Sequence, residues 1–461
     1  MENRIQLAKN YIEENKQNIL DSLFEILEIQ SISSDPKFKH QLIKGAEWIE
    51  NHLKKIGIPE TKILKTQQHP VVFGKFNKYG KDKPTILIYG HYDVQPPDPI
   101  DLWENDPFKP TIKGNLIFAR GASDMKGQLL VILSAIQAIN ATSELPINIK
   151  FMIEGEEEIG SPSIKEFLKT NRELFASDFV LNLDAGMISK TQPTIVYGLR
   201  GLAYFEIHVT GPGHDLHSGL FGGVVMNPIQ ALSSIISGMV NDKGVIQLPG
   251  FYDDVLPLSE EEREELGKLN LDDNYYLEQT EATALFGETG YTPTERIGAR
   301  PTLDVNGIFG GYTGEGPKTI IPSKAIAKLS MRLIPNQTPD KVKDQLHEYM
   351  RQHAPKQITW EVRQLSSDPA CITNPDFYAT RCFADTLQKV WGKKPVYKRE
   401  GGSIPIVSHM QNILGVESIL SGFGLPEDKI HSPNERMDLD VFWKGIETVI
   451  QYFFNISENC K

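Results

Sequence analysis

Short continuous apolar runs punctuate the first 200 residues: TILIYG at 85–90, INIKFMI at 147–153 and DFVLNLD at 178–184. Each has the length of a strand covered on both faces. Between the first two lies KGQLLVILSAIQAIN, residues 126–140, apolar almost all round, as a helix crossing over a sheet must be. This succession predicts an α/β fold with a doubly wound, mostly parallel sheet. From about residue 201 the pattern changes. LAYFEIHVT alternates apolar and polar positions, and NPIQALSSIISGMV reads as a helix with Asn227 as cap and Pro228 at its first position. TLDVNGI at 302–308, KAIAKLSMRLIP at 324–335, a helix at 339–352 and ITWEVR at 358–363 complete the order βαββαβ, a ferredoxin-like α+β plan. An acid-rich stretch at about 242–300, including SEEEREELGK, interrupts it and predicts short surface helices. After residue 371 a helix that opens Asn-Pro and closes at Gly392 returns to the first pattern, followed by VESILSG at 416–422. The expected organisation is a larger domain from residues 1–200 and 372–461, with a smaller lid domain, 201–371, inserted within it.

A length of 461 residues agrees with two domains, and 40% hydrophobic residues without low-complexity tracts supply their cores. A net charge of -12 with no basic run argues against nucleic acid as a partner. No window approaches a membrane span, and the charged amphipathic start MENRIQLAKNYIEENKQNILDSL is unlike a signal peptide, so a cytoplasmic protein without membrane contact is expected. Cys371, Cys382 and Cys460 are scattered, without the paired spacing of a metal site or disulfide frame, and reduced thiols are expected.

Histidines and carboxylates gather where the apolar runs stop. His91 and Asp93 follow the first run, EGEEEIGS at 154–161 follows the second, and Asp184 ends the third. In open α/β sheets ligands bind beyond the carboxyl ends of the strands, so three segments deliver side chains to one rim. Asp124, in RGASDMKG, and His431, in KIHSPNERMD, can join them. Imidazole and carboxylate without thiolate suit zinc, manganese or cobalt at a catalytic site, and a carboxylate can bridge two ions. Two cations would also offset the crowding of Glu154, Glu156, Glu157 and Glu158, which otherwise raise one another's pKa.

Taken singly, each residue has a plainer explanation. A histidine after a strand is usually a surface or hydrogen-bonding residue. Asp124 and Asp184 suit caps or turns, Glu154 and Glu156 a solvated face, His208 the polar face of a strand and His214 a loop. The spacing of His91 and Asp93 on extended backbone points both to one side, which lets Asp93 fix the imidazole tautomer. Three consecutive glutamates leave open which is ligand and which is base. The glycine-rich GIFGGYTGEG at 307–316 lacks the Gly-Lys-Ser/Thr of a phosphate loop and reads as a lid loop.

In order along the chain, GHYDVQP, RGASDMKGQ, EGEEEIGS, DLHSG, KTIIPSKA, MRLIPNQTP, REGGSIP and HSPNERMD resemble the two-metal zinc peptidase family of aminoacylase, acetylornithine deacetylase and the carnosinase-type dipeptidases. The resemblance spans nearly the whole chain and is nearest the cytosolic nonspecific dipeptidase branch. It implies a metal-dependent hydrolase that cleaves dipeptides or short peptides with a free C-terminal carboxylate, using two divalent metal ions, zinc first and manganese or cobalt as alternatives. Asp124 is implied to bridge the ions, His91 and Asp184 to complete one site, and Glu158 and His431 the other. Glu157 becomes the general base for a bridging water, with Asp93 supporting the histidine; the GS that follows chooses this register of the glutamates. His217, in DLHSG, is implied to stabilise the oxyanion from the lid of a partner subunit, which implies a homodimer; a turn histidine is its alternative. Arg332, on the polar face of its strand, is implied to clamp the substrate carboxylate, a task suited to a bidentate guanidinium. Ser403 and the backbone around Gly401 and Gly402 are implied to help, although a turn or cap would also suit Ser403. An aspartate at 184 resembles the aminopeptidase and dipeptidase side, where carboxypeptidase-type members tend to carry glutamate. An N-acyl amino acid deacylase, of the acetylornithine deacetylase or succinyl-diaminopimelate desuccinylase type, would share every metal residue. An inactive metal-holding scaffold is the reading from another class, and Glu157 argues against it, since a structural site has no use for a base beside its ligands.

Overall fold

The three apolar runs become adjacent strands of one sheet in the computed structural model, which describes residues 1–402 and 404–458. Strand Thr85–His91 lies between Asn148–Glu154 and Phe179–Asn182 and runs parallel to both; Glu417–Ser421 extends the parallel set. Beyond these the sheet turns antiparallel. Glu60–Leu64 and Val71–Phe76 form a hairpin against Asn148–Glu154, and Thr194–Leu199 runs antiparallel to Glu417–Ser421. The sheet is therefore mixed, parallel at its centre where helical crossovers join the strands and antiparallel where they do not. Helix Lys126–Thr142 is buried over most of its surface, as its composition requires, and Glu2–Glu14 and Leu439–Glu458 pack on it.

This sheet and its helices form one compact unit, Met1–Tyr197 and Thr373–Tyr397 with the chain from Ile406 on; Gly198–Ile372 with Lys398–Pro405 forms the other. The second unit holds a four-stranded antiparallel sheet in the order Thr302–Gly310, Lys324–Leu333, Gly201–Thr210, Thr359–Asp368. Helices Pro228–Ser237 and Pro339–His353 share one core with it, built from alternate strand residues such as Phe205, Ile207, Ala327, Leu329 and Met331. That is the ferredoxin-like order. The interruption folds into the short helices Glu260–Gly267, Asp273–Thr280 and Pro293–Ala299. Among the described residues, no helix is long and apolar enough to cross a membrane. Cys371 is a buried free thiol, whereas Cys382 is disulfide-bonded, so the expectation of reduced thiols does not hold for it. Spacing along the chain carries no information about which sulfurs meet in space.

Candidate metal centre

Because the central strands run parallel, the segments carrying His91, the glutamates and Asp184 all leave the sheet at the same edge. His91 is fully buried at the end of its strand. Its Nδ1 lies 3.1 Å from the carbonyl oxygen of Asp93, and its Nε2 lies 3.1 Å from Asp124 Oδ1. With Nδ1–H donated to that carbonyl, Nε2 is the nitrogen that faces Asp124 and would serve as a ligand once a cation displaces its proton. Asp184 Oδ2 is 3.7 Å from the same nitrogen. On the other side of Asp124, His431 Nε2 lies 2.8 Å from Oδ2 and 3.1 Å from Glu158 Oε2.

Two donor groups result, His91 with Asp124 and Asp184, and Asp124 with Glu158 and His431; within each, the donor atoms lie within 4.8 Å of one another. Asp124 turns one oxygen to each histidine. Nitrogen and carboxylate donors around a shared carboxylate fit a centre for two divalent cations of the catalytic kind.

Burial opposes charge on all these groups, and the pairing answers it. Burial alone would raise the Asp124 carboxyl, yet hydrogen bonds from His431 and His91 hold it well below the ordinary range. His431 is raised to about 10 by its hydrogen bonds to Asp124 and Glu158. Burial would lower His91, but the charge of Asp184 and hydrogen bonds to Asp124 and its neighbours raise it overall. Burial also raises Glu157, Glu158 and Asp184, with the histidines offsetting part of the effect. Protons on the imidazoles balance these carboxylates, and divalent cations would displace those protons.

The four crowded glutamates part company. Glu157 belongs to neither donor group; its Oε2 lies 3.8 Å from His91 Nε2. The Asp93 carboxylate accepts from the N–H groups of Glu157, at 3.2 Å, and Glu158, at 3.0 Å, and so holds the turn that separates the two side chains. Glu154 and Glu156 are not on a solvated face, contrary to expectation: both are fully buried. Tyr89 and Ser161 each donate a hydroxyl to Glu154 at 2.8 Å, and burial followed by the charge of Asp93 pushes its pKa up to about 8. Glu156 accepts from Ser163 N at 2.8 Å and from its hydroxyl, and from His69 N at 3.3 Å. The chain folds back so closely here that a Cβ on Gly155 would stand 2.4 Å from the Tyr92 hydroxyl. Local donors account for these two acids without a cation.

Residues 87–455 match the model of Peptidase family M20/M25/M40. The chain belongs to this family. It is 32% identical to a Cys-Gly metallodipeptidase of Candida albicans, over 96% of this chain and 95% of that one. Among solved structures it is similar to an M20 family metallo-carboxypeptidase from Sulfolobus solfataricus, with 34% identity and a TM-score of 0.86 over 95% of this chain and 99% of that one. It is also similar to human carnosine dipeptidase 1, with 29% identity and a TM-score of 0.84 over 98% and 99%. As a member of this family the chain is a metallopeptidase.

One acid that the motif reading passed over organises this M20 centre. Glu435, in the same motif as His431, is fully buried. Its Oε2 accepts from Arg120 Nη1 at 2.7 Å and Gly121 N at 3.0 Å, and its Oε1 from Ser123 N at 3.0 Å and Asp124 N at 3.1 Å. One carboxylate thus joins the loop carrying Asp124 to the loop carrying His431. Burial pushes its pKa up and Arg120 pulls it back; with four donors around two oxygens there is no acceptor for a proton, and Glu435 is ionised. The His431 loop is tightly curled. Lys429, His431 and Asn434 have φ of 56°, 62° and 63°, which for residues with a Cβ stores about 1–3 kcal/mol each. Asn434 tethers the loop, accepting from Glu104 N at 2.8 Å and donating to Leu102 O at 2.9 Å. In the sequence, Glu435 looks like any loop glutamate; its only signal is its place in a motif that already carries a ligand.

The other candidates belong to the second unit. His217 is exposed and caps the short helix Ser218–Phe221, its Nδ1 accepting from Gly219 N at 2.9 Å. Arg332 pairs in register with Leu202 and Thr302, on the sheet face opposite the buried Met331 and Leu333. Gly402 is exposed, and a Cβ there would meet nothing within 4 Å. Ser403 lies outside the described residues. His208 pairs with Glu206 at 2.9 Å on the polar face, as expected.

Proposed function

We propose that this M20 peptidase cleaves the peptide bond of dipeptides and of short peptides with a free C-terminal carboxylate, with zinc as its metal. The observation that carries the reading is a carboxylate shared by two donor groups, Asp124, with a spare carboxylate, Glu157, beside them. Bound divalent cations would polarise the amide carbonyl and lower the pKa of an attacking water. Glu157 accepts the proton of that water and returns it to the leaving nitrogen. Supporting this role, it joins neither donor group, and burial lifts its pKa towards the range in which a carboxylate both takes and gives a proton. Asp93 fixes the His91 ring through its carbonyl and the Glu157–Glu158 turn through its carboxylate.

Arg332, Gly402 and Ser403 hold the substrate carboxylate. His217, supplied by the lid of a second copy in a cytoplasmic homodimer, donates to the oxyanion. In support, Gly219 N occupies its Nδ1, so the proton of the neutral ring sits on Nε2. Mixing His217→Ala with Glu157→Gln subunits tests this arrangement. Half of a statistical mixture is heterodimer with one intact site, so activity returns to about a quarter of wild type; no recovery after verified subunit exchange would reject a shared site.

Dipeptides, tripeptides, and N-acetyl and N-succinyl amino acids assayed with and without zinc or manganese test the substrate class. Turnover of dipeptides is expected. Activity confined to acylated amino acids would make the protein a deacylase, and metal-loaded protein inert toward every amide would leave only the scaffold reading. The likeness to the Sulfolobus carboxypeptidase favours one second reading, removal of the last residue from longer or N-blocked peptides. The tripeptides separate the two.

A further inference from the structure

The acid-rich stretch at 242–300 is more than a surface elaboration, because both of its capping glutamates also hold arginines. Glu262 completes a capping box with Ser259 at the start of Glu260–Gly267, and Glu295 does the same with Thr292 at the start of Pro293–Ala299. Glu295 accepts from Arg263 Nη1 at 3.0 and 3.2 Å, which ties the two helices together. Glu262 in turn pairs with Arg399, outside the stretch. The second helix approaches the same strand directly: a Cβ on Gly298 would stand 2.6 Å from the Arg399 carbonyl oxygen. Two residues further along, a Cβ on Gly401 would stand 2.7 Å from Ile297 Cγ2 and 3.1 Å from Arg200 Nη2. Arg200 Nε donates to the Gly401 carbonyl at 2.9 Å. Its guanidinium lies near enough to Arg332 that, after burial, the charge of Arg332 pushes its pKa down to about 10.

These contacts converge on residues 399–401, immediately before Gly402, which has no neighbour within reach of a Cβ. Two successive glycines lose more backbone entropy on ordering than any other pair, so a loop built on them must be held from outside. Holding it in advance removes that loss from the binding step. We propose that the acidic insertion is a brace for the substrate-carboxylate pocket, in which Glu262, Arg399 and Gly298 are positioning residues that fix Gly401 and Gly402 and so set the preference for peptides ending in a free carboxylate. This rests on the reading that Arg332 and Gly402 bind that carboxylate.

The test is the ratio of kcat/KM for a dipeptide to that for its C-terminal amide, in the metal-loaded full-length protein. Glu262→Gln keeps the capping box, which accepts glutamine, and removes the charge opposite Arg399. It is expected to lower the ratio about three- to tenfold through KM of the acid, leaving the amide within about twofold. Arg399→Gln alone should lower the ratio to the same extent, and the double variant Glu262→Gln with Arg399→Gln should lower it little further, a non-additivity that a generally loosened fold would not show. Gly298→Val, which wedges helix from strand, should lower it further. A ratio unchanged in Glu262→Gln, or an equal loss on acid and amide, overturns the brace if Arg332→Ala still collapses the ratio. If Arg332→Ala leaves the ratio untouched, the carboxylate reading itself has failed and the brace falls with it.

Discussion

Replacing Glu435 with glutamine tests whether one buried carboxylate holds the two ligand loops together. Glutamine keeps the volume but turns one acceptor oxygen into an NH2 donor. Whichever way it turns, that donor meets donors: Arg120 and Gly121 N on one side, Ser123 N and Asp124 N on the other. Two of four hydrogen bonds are lost, and each buried donor left unsatisfied costs about 1–3 kcal/mol, a total of about 2–6. Turning the NH2 toward the Ser123 and Asp124 amides keeps Arg120 paired, so the lower half of that range is expected. This is a large part of the roughly 5–15 kcal/mol that a folded protein has. Glu435→Ala should lose more, because Arg120, only 1% exposed, would keep its charge with no carboxylate to answer it, only the Pro96 carbonyl and the Trp103 ring remaining, a loss of about 3–5 kcal/mol by itself. Denaturant unfolding of chelator-treated protein measures the stability change. Competition against a chromophoric chelator measures zinc affinity, which should fall about 10- to 100-fold for both ions, since Asp124 belongs to both donor groups. Wild-type stability together with wild-type zinc affinity in Glu435→Gln would mean that the carboxyl is protonated or idle, and would refute the reasoning.

Chelation should abolish activity, with zinc or manganese restoring it; a chelated enzyme at full rate would remove the metal from the reaction. Glu157→Gln should retain metal and lose about 10²–10⁴-fold in kcat, the usual share of a general base, and metal analysis beside kinetics would expose a variant that merely fails to bind. With His431 raised to about 10, its ring carries a proton at neutral pH before metal binds. Metal binding should therefore release protons, and affinity should rise with pH up to that value; calorimetry in buffers of different ionisation enthalpy showing no proton release would contradict this. Glu154, with a folded pKa of about 8 against an ordinary 4.5, keeps its proton longer in the folded state, so this group makes stability fall as pH rises through that window. Glu154→Gln should be near silent at about pH 4.5, already more stable than wild type at pH 6 and most so at pH 9; an unfolding midpoint that differs from wild type by the same amount at all three pH values would disprove the assignment.

Periodicity marked the central parallel strands, the crossover helix and the order of the lid elements, but not the flanking strands Glu60–Leu64, Val71–Phe76 and Thr194–Leu199. Apolar runs of six or seven residues have the length of strands covered on both sides, and the longer KGQLLVILSAIQAIN that of a helix buried nearly all round, because burial on every face tolerates no polar stripe. Strand ends also marked where His91, Asp93 and Asp184 would emerge, since parallel strands put their carboxyl ends on one edge. What the sequence could not carry was depth. Glu154, Glu156, Glu157 and Glu158 are the same letter, yet one is buried between two hydroxyls, one is tied down by backbone N–H groups, one stands free of both donor groups and one faces His431. Only folding decides this, because a carboxyl group's state follows from the donors and charges within a few ångströms of it, and those come from residues 69, 89, 93 and 431. The same holds for Glu435, whose four partners are Arg120, Gly121, Ser123 and Asp124, some three hundred residues upstream. That Glu262 of the acidic insertion would rest against Arg399 was likewise illegible in the sequence.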